Sequence, residues 1–65
     1  MFKEYDIIVS KRNFENIPSG SEGVILIVHE TFKDFLIEFF DNKGKTIDVI
    51  TVNEKDIELK QSYKR

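Results

Sequence analysis

Val24-Ile25-Leu26-Ile27-Val28 places five apolar residues in a row, four of them β-branched, directly after Gly20-Ser21-Glu22-Gly23. β-Branched side chains are stiff at χ1 and fit a pleated surface better than a helix. Five consecutive apolar positions also leave neither face of a strand plainly solvated. The run therefore predicts a central strand, Gly23 to Glu30, with apolar groups on both sides. Cover for it must come from a chain of 65 residues with no cysteine, so a single domain has to be held by packing without a disulfide framework.

Four further segments read the same way. Asp6 to Lys11 contains Ile7-Ile8-Val9, and Thr46 to Val52 is favoured in strands at every position but Asp48. Ile57-Glu58-Leu59, after the polar turn Asn53-Glu54-Lys55-Asp56, is long enough for a short closing strand. The segment from Phe32 to Phe40 supports two readings. Phe32, Phe35, Leu36, Phe39 and Phe40 follow the spacing of an amphipathic helix with Thr31 as its N-cap, whereas Phe35, Ile37 and Phe39 also alternate as in a strand. Asp41-Asn42-Lys43-Gly44 then suits a type I turn closed by a glycine in the left-handed region, a common connection between antiparallel strands, and this favours the strand. Five short strands separated by turn signals predict an all-β fold, a small five-stranded barrel, whose closure removes aggregation-prone edges. Residues 1–59 form the single domain in this reading, and residues 60–65 a frayed basic tail.

Chemistry is sparse. His29 is the only histidine, and no Gly-x-Ser-x-Gly or phosphate-cradling loop is present, so a nucleophile with its base is not assembled and no enzyme is expected. One histidine among scattered carboxylates makes no metal-ligand spacing, so the expected cofactors are none, and His29 reads as a strand-end surface residue. Residues 1–59 hold twelve acids against seven bases, a balance of −5, and the basic tail brings the chain to −2. Nucleic acid is accordingly an unfavoured partner, although Lys11, Arg12 and the tail Lys60-Gln61-Ser62-Tyr63-Lys64-Arg65 leave an RNA- or ribosome-associated module as an alternative. No apolar run reaches the length of a signal-peptide core or a membrane span, so a cytoplasmic protein without membrane association is expected.

The whole pattern resembles a family of small bacterial domains of unknown function with an SH3-like barrel. The resemblance rests on Asp6-Ile7-Ile8-Val9, Gly20-Ser21-Glu22-Gly23-Val24, Phe35-Leu36-Ile37-Glu38-Phe39-Phe40-Asp41 leading to Gly44-Lys45-Thr46, and Asp56-Ile57-Glu58-Leu59. It spans about Phe2 to Leu59 and departs from the family pattern at Leu36 and in the apolar Val24 to Val28. It implies the SH3-like fold and brings no catalytic residue. Small immunity proteins that neutralise bacterial toxins are similar in size and surroundings.

The apolar surplus is the most informative functional feature. With Val24, Leu26 and Val28 inward beside Phe35, Ile37 and Phe39, strand alternation turns Ile25, Ile27, Leu36 and Phe40 outward, and a barrel this small has interior room for one such set. Covering the other set removes roughly 300 Å² from water, about 7 kcal/mol before association costs. Cover from the loop carrying Phe14 and Ile17, or from Tyr63, competes with cover by a partner. The predicted partner-binding residues are Ile25, Ile27, Leu36, Glu38, Phe40 and Asp48, and the predicted partner is a protein, either a basic toxin or a second copy in a homodimer.

Overall fold

The computed structural model describes residues 2–63. Five strands, β1 (Ile7–Ser10), β2 (Glu22–Val28), β3 (Asp34–Phe40), β4 (Thr46–Asn53) and β5 (Ile57–Gln61), form one antiparallel sheet in the order β4-β3-β2-β1-β5. A single 3₁₀ turn, Glu54–Asp56, links β4 to β5. That short link dictates the shape. Laid flat, strands at the two ends of a five-strand sheet stand about 19 Å apart at ~4.8 Å per strand. From Asn53 to Ile57 the 3₁₀ turn takes four steps, only about 8 Å at ~2.0 Å each. The sheet must therefore roll until β4 and β5 approach one another, giving a barrel-like fold of 27 × 24 × 16 Å.

The roll encloses Ile8, Ile25, Phe35, Ile37, Phe39, Val52 and Ile57, with Ile17 entering from the loop between β1 and β2. β3 follows strict alternation, with Phe35, Ile37 and Phe39 inside and Leu36, Glu38 and Phe40 half-buried outside. The helical reading of this segment fails because Thr31 does not cap a helix. Its Oγ1 accepts the Lys33 N–H at 3.2 Å inside a turn, and Phe32 there adopts φ 59°. At the other end of β3, Gly44 takes φ 80° and the Asp41 carboxylate accepts the N–H groups of Lys43 and Lys45, both at 2.9 Å, which closes the expected hairpin turn.

β2 reverses the expected register. Ile25 is fully buried, while Val24 and Leu26 lie half-buried on the outer side. Gly23 explains the parity. It pairs with Ile8 and Phe39 on the core face, where an added Cβ would stand 2.7 Å from Ile37 Cγ2 and 3.0 Å from the Glu38 carbonyl, so only glycine fits and Ile25 follows it inward. Beyond Ile25 the pairing slips at Leu26, so that Ile27 faces Leu36 and Val28 returns to the core beside Phe35. Ile25 and Val28 are three residues apart and could not share a face of a regular strand; the bulge makes it possible.

The loop after β1 closes one end of the core. Phe14 and Ile17 exchange backbone hydrogen bonds of 2.8 and 3.1 Å, Ile17 is buried, and the Phe14 ring lies 6.2 Å from that of Phe39. The segment that reads as a tail from Lys60 onward begins inside β5. β5 continues to Gln61, the Tyr63 N–H donates to Asp6 Oδ1 at 2.9 Å, and the rings of Tyr63 and Tyr5 meet edge to face at 5.5 Å. Lys64 and Arg65 lie outside the described residues. Among the described residues no helix is long and apolar enough to cross a membrane.

Candidate protein-binding face

Strand pairing determines which side chains share the outer face. Val24 stands opposite Ile7 and Glu38, Glu38 opposite Val49, Leu36 opposite Ile27 and Thr51, and Phe40 opposite Glu22 and Thr46. An apolar surface around one carboxylate results, because β2 and β3 contribute more apolar residues than the interior accepts. Ile27 is 47% exposed, Val49 is exposed, and Leu36 and Phe40 are half-buried. Glu38 accepts a hydrogen bond from the Thr46 hydroxyl across the β3–β4 pair, which fixes the direction of its charge. At one end of this face a groove of about 760 Å³ has Ile7, Val24, Phe40 and Ile47 among its lining residues. It lies between the Pro18–Gly23 arm and the Asp41–Gly44 turn, with the carboxylates of Glu22 and Asp41 on its rim.

Four of the six expected contact residues, Ile27, Leu36, Glu38 and Phe40, are brought together here. Ile25 is not among them, since it lies in the core for the reason given above. Asp48 is also displaced. A bulge at Ile47 shifts the β3–β4 register, so Asp48 pairs with Phe39, one of the inward-facing residues of β3, and its Oδ1 takes the Val49 N–H at 2.8 Å. Val24 and Val49 occupy the places on the outer face that Ile25 and Asp48 do not. Val24 stands outside because Gly23 sets the parity of β2, and Val49 stands outside because it pairs with Glu38 beyond the slip at Ile47.

Two cations of the RNA-binding alternative are engaged with the protein's own acids. Lys60 pairs with Glu22, and Arg12 pairs with Asp56 at 3.3 Å while its guanidinium lies 4.3 Å over the Phe14 ring. His29 sits exposed in the loop after β2, where its backbone N–H donates to the Asp34 carbonyl at 3.0 Å. No group of three His, Cys, Asp or Glu side chains that could hold a metal ion occurs among the described residues.

A second feature escapes sequence reasoning. Asp6, fully buried, accepts the Lys3 N–H at 3.0 Å, the Lys3 ammonium at 2.7 Å and the Tyr63 N–H at 2.9 Å, so one carboxylate ties both ends of the described chain to the sheet. Burial alone would push its pKa up. The hydrogen bond from Lys3, the N–H groups of Tyr63 and Lys3 and the Lys3 charge outweigh burial and hold the carboxyl below the ordinary aspartate range. Next to this hub an aromatic recess of about 520 Å³ is lined by Phe2, Tyr5, Phe32 and Tyr63 together with Val28 and the polar residues Lys3 and Glu4. Those aromatics come from three separate segments, and nothing in their local sequence places them side by side.

No curated protein and no solved structure matches this chain. A family model described as a domain of unknown function matches residues 4–59, nearly the whole of the rolled sheet together with the Tyr5–Asp6 corner. The all-β barrel-like architecture is therefore that of a member of the domain-of-unknown-function family DUF4926, to which this chain belongs.

Proposed function

We propose that the domain is a non-catalytic protein-binding module and, in the most specific form of this reading, an immunity-type protein of the bacterial cytoplasm that neutralises a basic toxin by direct binding. The observation that carries it is the outer face of β2, β3 and β4. Ile27, Leu36, Phe40 and Val49 lie on a sheet whose interior is already filled by another set, and the loop carrying Phe14 and Ile17 packs at the core instead of on this face. The excess of acids in residues 1–59 would steer a basic partner toward that face and speed its association.

The test compares the wild type with Leu36→Glu. Affinity capture followed by calorimetry on the purified complex is expected to give a stoichiometric protein partner for the wild type and loss of binding for the variant, with the variant still folded. A strict monomer with no stoichiometric partner discards the reading. Stability that rises with protein concentration assigns the same face to a homodimer instead.

A further inference from the structure

Tyr5 and Phe32 are the two non-glycine residues described with positive φ, at 70° and 59°. Bulky side chains rarely adopt this region, and at both positions a hydrogen-bonded turn holds the backbone there and turns the ring outward. Both are also exposed, Phe32 at 63% and Tyr5 at 51%, and neither belongs to the buried core. They open onto the same recess as Tyr63, which is 48% exposed and packs edge to face on Tyr5. Three aromatic rings thus line one concavity from the N-terminal corner, the β2–β3 loop and the residues after β5.

Two charged residues also line the recess. The Lys3 ammonium is bound to the Asp6 carboxylate, which neutralises it and holds it in place. Glu4 makes no ion pair among the described residues, so of the two described charges that line the recess the one without a counter-charge is negative, in a body, residues 1–59, that is itself acidic. Ring faces attract cations through their quadrupole, and a neighbouring carboxylate strengthens that attraction in a partly desolvated hollow.

We propose that this recess receives a cationic side chain, arginine or lysine, from a protein partner, held over the rings of Tyr5, Phe32 and Tyr63 beside Glu4. The proposal rests on the protein-binding reading and deepens it: the apolar face of β2 and β3 provides area, and the recess selects a basic residue at one point of the partner. Ile7 and Tyr5 connect the two regions. Ile7 lines the groove beside Phe40, Ile7 and Tyr5 line a second hollow with Gln61 and Tyr63, and Tyr5 continues into the recess.

The test uses a built-in reporter. The chain has two tyrosines and no tryptophan, and both tyrosines line the recess, so intrinsic fluorescence reads this site alone. The full chain is titrated with an N-acetylated, C-amidated Gly-Ser-Arg-Ser-Gly peptide and with the same peptide carrying citrulline, which keeps the shape and removes the charge. The arginine peptide is expected to give a saturable change and the citrulline peptide to bind about fivefold more weakly or less. Phe32→Gly removes one ring and relieves a left-handed Phe, so it should abolish the discrimination while the Tm holds or rises. Equal binding of the two peptides, no saturable change, or undiminished discrimination in Phe32→Gly overturns the proposal. Tighter saturable binding of a hexauridylate than of the arginine peptide overturns it in favour of stacked nucleic-acid bases. Asn16→Ala, exposed in the loop between β1 and β2 and outside both the recess and the apolar face, should bind the peptide as wild type does. Loss of peptide recognition alongside Leu36-dependent partner binding therefore removes this inference and leaves the protein-binding reading standing.

Discussion

β2 and β3 are neighbours of equal length, seven residues each, and both are rich in apolar side chains, yet they meet the core under different rules. In β3, Asp34, Glu38 and the alternating Phe35, Ile37 and Phe39 leave one register in which carboxylates avoid the interior. In β2, the five residues from Val24 to Val28 carry no charge to fix parity, and the strand is oriented by Gly23, the residue with no side chain at all, and then re-oriented by a bulge at Leu26. Polar residues specify a register by exclusion, whereas an unbroken apolar run leaves the choice to close backbone contacts made elsewhere in the sheet.

Core truncations give the largest effects and test this difference directly. Ile37→Ala and Ile25→Ala should each cost about 2–5 kcal/mol, enough to unfold much of so small a domain, while Val24→Ala should cost about 1 kcal/mol or less. Denaturant unfolding with a shared m-value checks all three. If Val24→Ala proves as costly as Ile25→Ala, the orientation of β2 is wrong. Gly23→Ala follows in size: a methyl group pressed against Ile37 and the Glu38 carbonyl should cost about 1–3 kcal/mol through overpacking, whereas alanine at most strand positions does not. A neutral Gly23→Ala would mean that the glycine does not set the register.

The same contrast determines how much of the molecule was legible. The five strands and the β3–β4 hairpin came from local signals, since Thr46 to Val52 has few alternatives to a strand and Asp41 and Gly44 carry the chemistry of their turn. The candidate face was legible in four residues, because Leu36, Glu38 and Phe40 inherit the clear parity of β3 and Ile27 is carried outward by the bulge. Ile25 and Asp48 were misplaced by features that depend on partners distant in sequence, the Gly23 contact and the slip at Ile47. Lys60 to Arg65 is polar and looks locally like a tail, whereas Tyr63 within it is held by Asp6, fifty-seven positions earlier. A bond of that span leaves no local pattern.

Asp6 supplies the next smaller effect. Its folded pKa lies below the unfolded value of about 3.9, so the unfolded state binds more protons as the pH falls. The contribution of this carboxylate is present above about pH 4 and is lost as the pH drops through the folded pKa. Asp6→Asn keeps an acceptor and removes the charge, so it should destabilise the protein by about 1–2 kcal/mol at pH 7 and by less at pH 3. Thermal unfolding of both proteins across that range is the measurement. Curves that stay parallel would show that acid sensitivity arises elsewhere.

Leu36→Glu should have the smallest effect on stability, and for that reason it separates folding from recognition. Leu36 lies in the most regular strand, but on its outer face, opposite Ile27 and Thr51 and two positions from Glu38. A second carboxylate there adds repulsion with Glu38 and removes modest apolar cover, which together should stay within about 1 kcal/mol because water reaches both groups. Association is more sensitive. A charge at the centre of a partner interface must be desolvated without a designed counter-ion, and truncating or charging such a position commonly costs more than 2 kcal/mol of binding energy. The expected outcome is a folded monomer with near-normal Tm that no longer holds its partner. If Leu36→Glu unfolds the chain while Ile37→Glu does not, the two faces of β3 are exchanged and the binding face must be sought on the opposite side of the sheet.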